Sequence, residues 1–130
     1  MFTSKRQLLP IAQLAVMRVL WDAPVALSVR QITNKLQEQE KNDLIWNMST
    51  VRTHLTRLTK RGYLAVAEKN RDRYYAVLID EQTYLKQATS TFLSEHYESS
   101  IFCMISTFAD GRLSQDELQE LRDIMSKLEE

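Results

Sequence analysis

The sequence is poor in residues that interrupt regular structure, since its 130 residues include only two glycines and two prolines. Sandwiches and small barrels need a turn signal about every eight to twelve residues, so an all-β fold is disfavoured and a mostly helical one is expected. The single cysteine, Cys103, excludes an internal disulfide and fits a reducing cytoplasm. No apolar run approaches the roughly 18 residues of a membrane span, so no membrane partner is expected.

The formal net charge is zero, but the charges are unevenly distributed. Residues 1–80 contain thirteen Lys or Arg and seven Asp or Glu, whereas residues 81–130 contain four and ten. The basic part is therefore the candidate for binding a polyanion, and the acidic part suggests a second role. We expect two domains, over residues 1–79 and 80–130.

Apolar spacing predicts two helices at the start of the chain. The first spans Pro10 to Trp21, with one apolar face directed at a core. The second begins at a capping box formed by Ser28 and Gln31, in which each side chain bonds the backbone of the other residue. A polar connection is expected from Glu38 to Asp43.

A third helix and a β-hairpin are predicted next. Asn47 is a suitable N-cap for the helix, and Gly62 suits the left-handed residue that often ends one. The β-forming residues around positions 63–66 and 74–77 flank the polar segment Lys69–Arg73. This pattern predicts a two-stranded hairpin with a charged five-residue turn.

The chain beyond Asp80 is predicted to form three further helices, with Gly111 before the last and a second capping box at Ser114 and Glu117. Their apolar stripes either pack on the N-terminal domain of the same chain or form an interface between two chains. We favour dimerisation, because a domain of three helices and a hairpin, about 75 residues long, already encloses a core. One stripe contains Ala88 between Leu85 and Phe92. The candidate dimerisation residues are Leu85, Phe92, Ile101, Ile105, Phe108, Leu118, Leu121 and Met125.

The polar face of the third helix is the strongest functional signal. No carboxylate occurs between Trp46 and Gly62, and that face holds hydroxyl and cationic groups. Such groups read bases and phosphates in DNA, whereas an ordinary solvated face usually carries both signs of charge. The hairpin tip adds cations, although Glu68 and Asp72 dilute them. The candidate DNA-binding residues are Ser49, Thr50, Arg52, Thr53, Thr56, Arg57 and Lys60 in the helix, and Lys69, Arg71 and Arg73 in the hairpin.

The segment Trp46–Gly62 resembles the recognition-helix segment of the penicillinase-repressor family, which includes the BlaI and MecI repressors and has the copper-responsive CopY repressors as relatives. Residues 15–21, 72–75 and 113–122 are similar to its first helix, wing and final helix. The resemblance implies a mostly α fold, with a winged helix-turn-helix of three helices and a β-hairpin followed by a helical dimerisation region. It also implies a homodimeric transcriptional repressor that binds a palindromic operator in double-stranded DNA.

The sequence departs from the family pattern at three places. Asn47 and Met48 replace a Ser-Pro pair, and the paired cysteines of the copper-responsive branch are absent. Thr107-Phe108 stands where the protease-sensitive members have the Asn-Phe bond that is cut. An inactivating protease is therefore a candidate partner only through the resemblance.

Metal, cofactor and enzyme functions are not expected. His54, His96 and Cys103 are the soft metal-ligating side chains, and they lack the paired spacing of a zinc site. His54 lies beside the apolar stripe and is expected to pack or cap. No phosphate-binding loop or nucleophile motif occurs, so catalysis is not expected. Two alternatives stay open: a winged-helix module that binds protein, and a thiol- or metal-responsive sensor based on Cys103.

Overall fold

The computed structural model of this chain describes residues 8–39 and 45–129. Within these residues the elements follow in the order α1 (Ile11–Asp22), β1 (Leu27–Ser28), α2 (Val29–Gln39), α3 (Met48–Lys60), β2 (Leu64–Lys69), β3 (Asp72–Val77), α4 (Glu81–Tyr97), α5 (Ile101–Arg112) and α6 (Gln115–Leu128). The predicted fold class is confirmed, since three helices and a β-hairpin wing precede a helical C-terminal region.

Helices α1, α2 and α3 pack against one another around the main hydrophobic core. In α1, Val16, Met17 and Leu20 are buried, as the apolar spacing predicted. Trp21 lies at the edge of the core, where its indole N–H donates to the carbonyl oxygen of Ile79 at 3.0 Å. This bond ties the segment after the hairpin to the end of α1.

The start of α2 confirms the predicted capping box. The backbone N–H of Ser28 donates to Gln31 Oε1 at 2.9 Å, and that of Gln31 donates to Ser28 Oγ at 3.3 Å. The helix continues through Gln39, so the predicted polar connection from Glu38 is wrong at its first two residues. Those residues are good helix formers and no glycine or proline stops the helix there. Residues 40–43 of the predicted connection lie outside the described residues.

Strands β2 and β3 pair antiparallel, from Leu64 opposite Val77 to Lys69 opposite Asp72. The hairpin is confirmed, but the turn has two residues instead of five. Asn70 and Arg71 have φ values of 54° and 66°, the positive values that a tight two-residue hairpin turn requires.

The hairpin belongs to a three-stranded sheet with the order β1-β3-β2, which the sequence pattern did not predict. The additional strand β1 pairs antiparallel with β3, placing Leu27 opposite Tyr75 and Ser28 opposite Tyr74. Because α2 begins at the next residue, this pairing holds the first turn of α2 beside the wing.

The chain divides into two compact units, Met1–Thr91 and Phe92–Glu130. The first half of α4 belongs to the N-terminal unit, since Tyr84 and Ala88 are buried in its core. The Tyr84 hydroxyl accepts the backbone N–H of Leu9 at 3.0 Å. The spacing predicted one stripe of Leu85, Ala88 and Phe92, but Ala88 is buried whereas Leu85 and Phe92 are exposed. The division into compact units falls inside α4.

The C-terminal unit contains the end of α4 together with α5 and α6. Ser100 caps α5 by accepting the N–H of Cys103 at 3.1 Å. Gly111, with φ of 78°, interrupts the helical backbone near the end of α5. The predicted capping box at Ser114 and Glu117 is present, with both bonds near 3 Å. No residue that the structure describes in α5 or α6 is buried.

Candidate nucleic-acid interface

Helix α3 presents one buried face and one solvent face. Asn47 caps it as predicted, its Oδ1 accepting the backbone N–H of Thr50 at 2.9 Å. Val51, Leu55 and Leu58 are fully buried and fix the rotation of the helix on the core. The opposite face is therefore held towards solvent by packing.

The solvent face carries the candidate residues of this helix. Thr50 is half-buried, and the Thr53 hydroxyl donates to the Ser49 carbonyl oxygen at 3.2 Å. The first turn contains no acidic residue, and Arg57 and Lys60 occupy the last turn, where the helix dipole favours cations. The exposed members of the predicted set are Ser49, Arg52, Thr53, Thr56, Arg57 and Lys60.

The wing places further cations in solvent. Lys69, Arg71 and Arg73 are all exposed. The Asp72 carboxylate accepts the backbone N–H of Arg73 at 2.9 Å, so this acidic group is engaged with the backbone of its own strand. Arg71 occupies a left-handed position that normally favours glycine, which makes a side chain there costly to the backbone.

A cleft of about 390 Å³ brings part of α3 together with part of the wing. Of the ten candidates, Arg52, Thr56, Arg71 and Arg73 line this cleft. The other six lie elsewhere on the exposed surfaces of α3 and the hairpin. The remaining lining residues are Val29, Arg30, Met48, Asp72 and Tyr75.

Arg30 is the cleft residue that the sequence analysis missed. It lies in the first turn of α2, which contains no acidic residue. A cation at a helix N-terminus is disfavoured by the helix dipole, and this misplaced charge is the signal that sequence reasoning could have used. Arg30 lies beside the wing because β1 pairs with β3, and the sequence pattern did not predict that pairing.

The arginines of the cleft are not neutralised by side chains that the structure describes. Among the described residues, an ion pair joins Arg18 to Glu81 at 3.8 Å, and none involves Arg30, Arg52, Arg71 or Arg73. Four arginines therefore line the cleft, and Asp72 is the acidic residue among its described lining residues.

His54 lies on the flank of α3 and packs edge-on against the Trp46 ring, with ring centroids 6.1 Å apart. Burial lowers the pKa of His54 below its ordinary value, and the positive charge of the nearby Arg57 guanidinium lowers it further. Its Nδ1 has no hydrogen-bond partner among the described residues. These contacts give His54 a packing role, one of the two roles expected for it.

A metal centre is not formed by the residues in the described ranges, where no group of three or more His, Cys, Asp or Glu side chains converges. Cys103 is exposed. Within the same ranges, no helix combines the length and the apolar character needed to cross a membrane.

The candidate dimerisation residues lie on partly or fully exposed surfaces. Phe92, Ile105, Phe108 and Leu121 line an apolar cleft of about 530 Å³ inside the C-terminal unit. Phe108 and Met125 are 56% and 50% exposed, and α5 and α6 bury no side chain completely. The members outside this cleft are Leu85, Ile101, Leu118 and Met125.

Comparison with known proteins agrees with this geometry. The family model described as "Penicillinase repressor" matches residues 10–127. The methicillin resistance regulatory protein MecI of Staphylococcus aureus strain N315 is 30% identical over 117 residues, which cover 89% of this chain and 91% of that protein. The penicillinase repressor of Bacillus licheniformis is also 30% identical over 117 residues, covering 89% and 88% of the two chains.

A solved structure is similar to the N-terminal part of the fold. The solution structure of the DNA-binding domain of the repressor BlaI aligns with a TM-score of 0.51 and 27% identity, covering 65% of this chain and 94% of that one. The chain therefore belongs to the penicillinase repressor family, a family of DNA-binding transcriptional repressors rather than enzymes.

Proposed function

We propose that this chain represses transcription as a homodimer that binds a palindromic operator in double-stranded DNA. The observation that carries the proposal is the carboxylate-free solvent face of α3, held outward by the fully buried Val51, Leu55 and Leu58. A helix of this kind fits the major groove, whose base edges accept hydrogen bonds from arginine and contact threonine methyl groups.

The side chains divide into base-reading and phosphate-binding groups. Arg52 and Arg57 are exposed on α3, where each guanidinium has the two parallel donors that recognise guanine. Thr53 and Thr56 provide methyl and hydroxyl groups for thymine or phosphate. This set is bordered by Ser49, Thr50 and Lys60. The phosphate backbone of the DNA beside the groove is contacted by the wing residues Lys69, Arg71 and Arg73.

Dimerisation is assigned to the part of the chain after residue 79, and DNA binding to residues 1–79. The support for this division is charge and exposure. The second part has an excess of seven acidic residues, which phosphate repels, and its last two helices expose apolar side chains that a second copy would cover. A twofold pair places two recognition helices about 34 Å apart, one for each half of a palindrome.

The DNA-binding proposal is tested by selecting bound duplexes from a random pool and titrating the full chain with the enriched duplex. Arg52→Ala and Arg57→Ala should each weaken binding by about 1–3 kcal/mol and relax the preference for one base. Lys127→Ala removes one positive charge from α6 and serves as the matched control. Unchanged affinity for the Arg52→Ala, Arg57→Ala double variant would contradict the role of α3, and salt-insensitive binding would favour a protein-interaction module.

The dimer is tested by sedimentation equilibrium of the full chain. Ile105→Glu should shift the equilibrium to monomer, because a carboxylate in an apolar interface is costly to desolvate. Leu78→Glu is the control, since Leu78 is 62% exposed on the N-terminal unit. A wild-type chain that is monomeric at every concentration would overturn this part of the proposal.

Release of the repressor by a protease is a separate part of the proposal. Thr107 and Phe108 are exposed, but their peptide bond lies inside α5, where the Thr107 hydroxyl donates to the Cys103 carbonyl oxygen at 2.9 Å. Cleavage there would require the helix to open. Release by proteolysis is tested by measuring the mass of the chain recovered from cells in which repression has been relieved. An intact chain would exclude proteolysis. Alkylation of Cys103 that releases DNA would instead favour the thiol-responsive alternative.

A further inference from the structure

The cleft between α2, α3 and the wing contains more positive charge than the recognition helix and the wing tip account for. On the basis of the proposed function, we infer that this cleft binds one phosphate of the DNA backbone. Arg30 of α2 is then a DNA ligand together with Arg71 and Arg73 of the wing. The contact made by Arg30 comes from α2, an element outside both the recognition helix and the wing.

The charge of the cleft favours the binding of an anion. Four exposed arginines line a cleft of about 390 Å³, and the Asp72 carboxylate already accepts the backbone N–H of Arg73. None of the four arginines has an ion-pair partner among the described residues. Like charges at this density repel one another, so an anion between them relieves the repulsion as well as forming new bonds.

The apolar wall of the cleft strengthens this attraction. Val29 and Tyr75 are buried and Met48 is half-buried, and all three line the cleft beside the arginines. Charges next to a low-dielectric surface interact more strongly than charges in open water. Guanidinium groups also match phosphate oxygens with two parallel donors, which makes phosphate the anion best suited to this cleft.

The backbone fixes Arg30 relative to the wing before any ligand binds. Ser28 pairs with Tyr74 in the sheet. Arg30 lies two residues after Ser28, in the first turn of α2, and Arg73 comes directly before Tyr74 in β3. Arg30 is therefore set by the sheet register and the capping box of α2, and its place does not depend on a flexible loop.

The arrangement of α2, α3 and the hairpin around the cleft favours a phosphate over a base. The cleft is lined from three sides, by α2, by α3 and by the hairpin. A tetrahedral phosphate accepts bonds from several directions, whereas a base edge is planar and is read from one side. The cleft also lies between α3 and its neighbours, α2 and the hairpin. When the exposed face of α3 is in the groove, the DNA backbone that borders the groove passes this position.

The experiment titrates the full chain with the selected duplex and with a random duplex over a range of salt concentrations. Arg30→Ala should weaken binding to both duplexes by the same factor, about five-fold near 0.15 M salt, and lower the salt slope by about one. Lys35→Ala removes a positive charge from an exposed position on α2 outside the cleft, and should have a smaller effect on both quantities.

A second measurement identifies the phosphate itself. Duplexes are prepared with a single neutral methylphosphonate linkage at each position in turn. One position in each half-site should weaken wild-type binding and leave Arg30→Ala binding unchanged, because the variant has already lost that contact.

Each outcome decides the matter. A loss confined to the selected duplex would show that Arg30 reads a base, and equal effects of Arg30→Ala and Lys35→Ala would show only general charge attraction; both overturn the phosphate assignment. No loss for Arg30→Ala, with a large loss for Arg52→Ala, would overturn it while leaving the proposed function intact. Failure of the wild-type chain to bind any duplex would overturn the proposed function as well.

Discussion

The left-handed position of Arg71 allows stability and DNA binding to be separated in one substitution. Arg71 has a φ of 66° at the tip of the hairpin, where a two-residue turn normally carries glycine. Arg71→Gly removes the cation and relieves the backbone at the same time. DNA binding should therefore weaken while the stability of the fold is kept or increased.

The expected magnitudes follow from the backbone and from the charge. A left-handed conformation costs a residue with a Cβ about 1–2 kcal/mol, while glycine loses about 0.5–1 kcal/mol more through the greater freedom of its unfolded chain. Arg71→Gly should thus leave the free energy of unfolding unchanged or raise it by up to about 1.5 kcal/mol. Loss of one phosphate contact should weaken DNA binding about five-fold near 0.15 M salt, on specific and random duplexes alike.

Urea denaturation followed by circular dichroism measures the first quantity, and fluorescence anisotropy with labelled DNA measures the second. Asn70→Gly is the matched control, because it relaxes the neighbouring residue, with φ of 54°, and keeps every charge. Arg71→Ala removes the charge and keeps the strained backbone, so it should be less stable than Arg71→Gly. A destabilised Arg71→Gly would refute the left-handed turn, and wild-type affinity in this variant would refute the contact between wing and DNA.

Three further predictions concern folding. Asn47→Ala should lower the free energy of unfolding by about 1 kcal/mol in urea denaturation, because the Thr50 N–H loses its acceptor, and Asn47→Ser should restore most of it. The lowered pKa of His54 means that the unfolded chain binds its proton more readily, so stability should be complete above pH 6.5 and fall as the pH drops below it, less steeply in His54→Gln. Burial raises the pKa of Tyr63 to about 12 from 10.0, so stability should be constant below pH 10 and fall between pH 10 and about 12, and Tyr63→Phe should remove this fall.

Patterns that act over three or four residues were predicted well. The capping boxes at Ser28 and Ser114, the cap at Asn47 and the left-handed Gly62 are all present, because each depends on neighbouring residues in the chain. The buried stripe of α3, and hence its exposed face, followed from helical periodicity for the same reason.

Features that depend on distant partners were missed. Strand β1 has two residues and so no alternation to detect, and it exists because β3 pairs with it. Arg30 entered the candidate site only through that pairing. Tyr84, rather than Leu85, faces the N-terminal core because its ring packs between Trp21 and Tyr63, and its hydroxyl meets the Leu9 backbone.

Strand β1 also changes how much conformational entropy the wing would lose on binding a ligand. An isolated two-stranded hairpin is only marginally ordered in water, and a protein that carried one would lose conformational entropy on docking. Here the pairing of Leu27 and Ser28 with β3 orders the hairpin during folding. In the proposed complex the wing would meet the duplex already ordered, so immobilising it would cost little of the binding free energy.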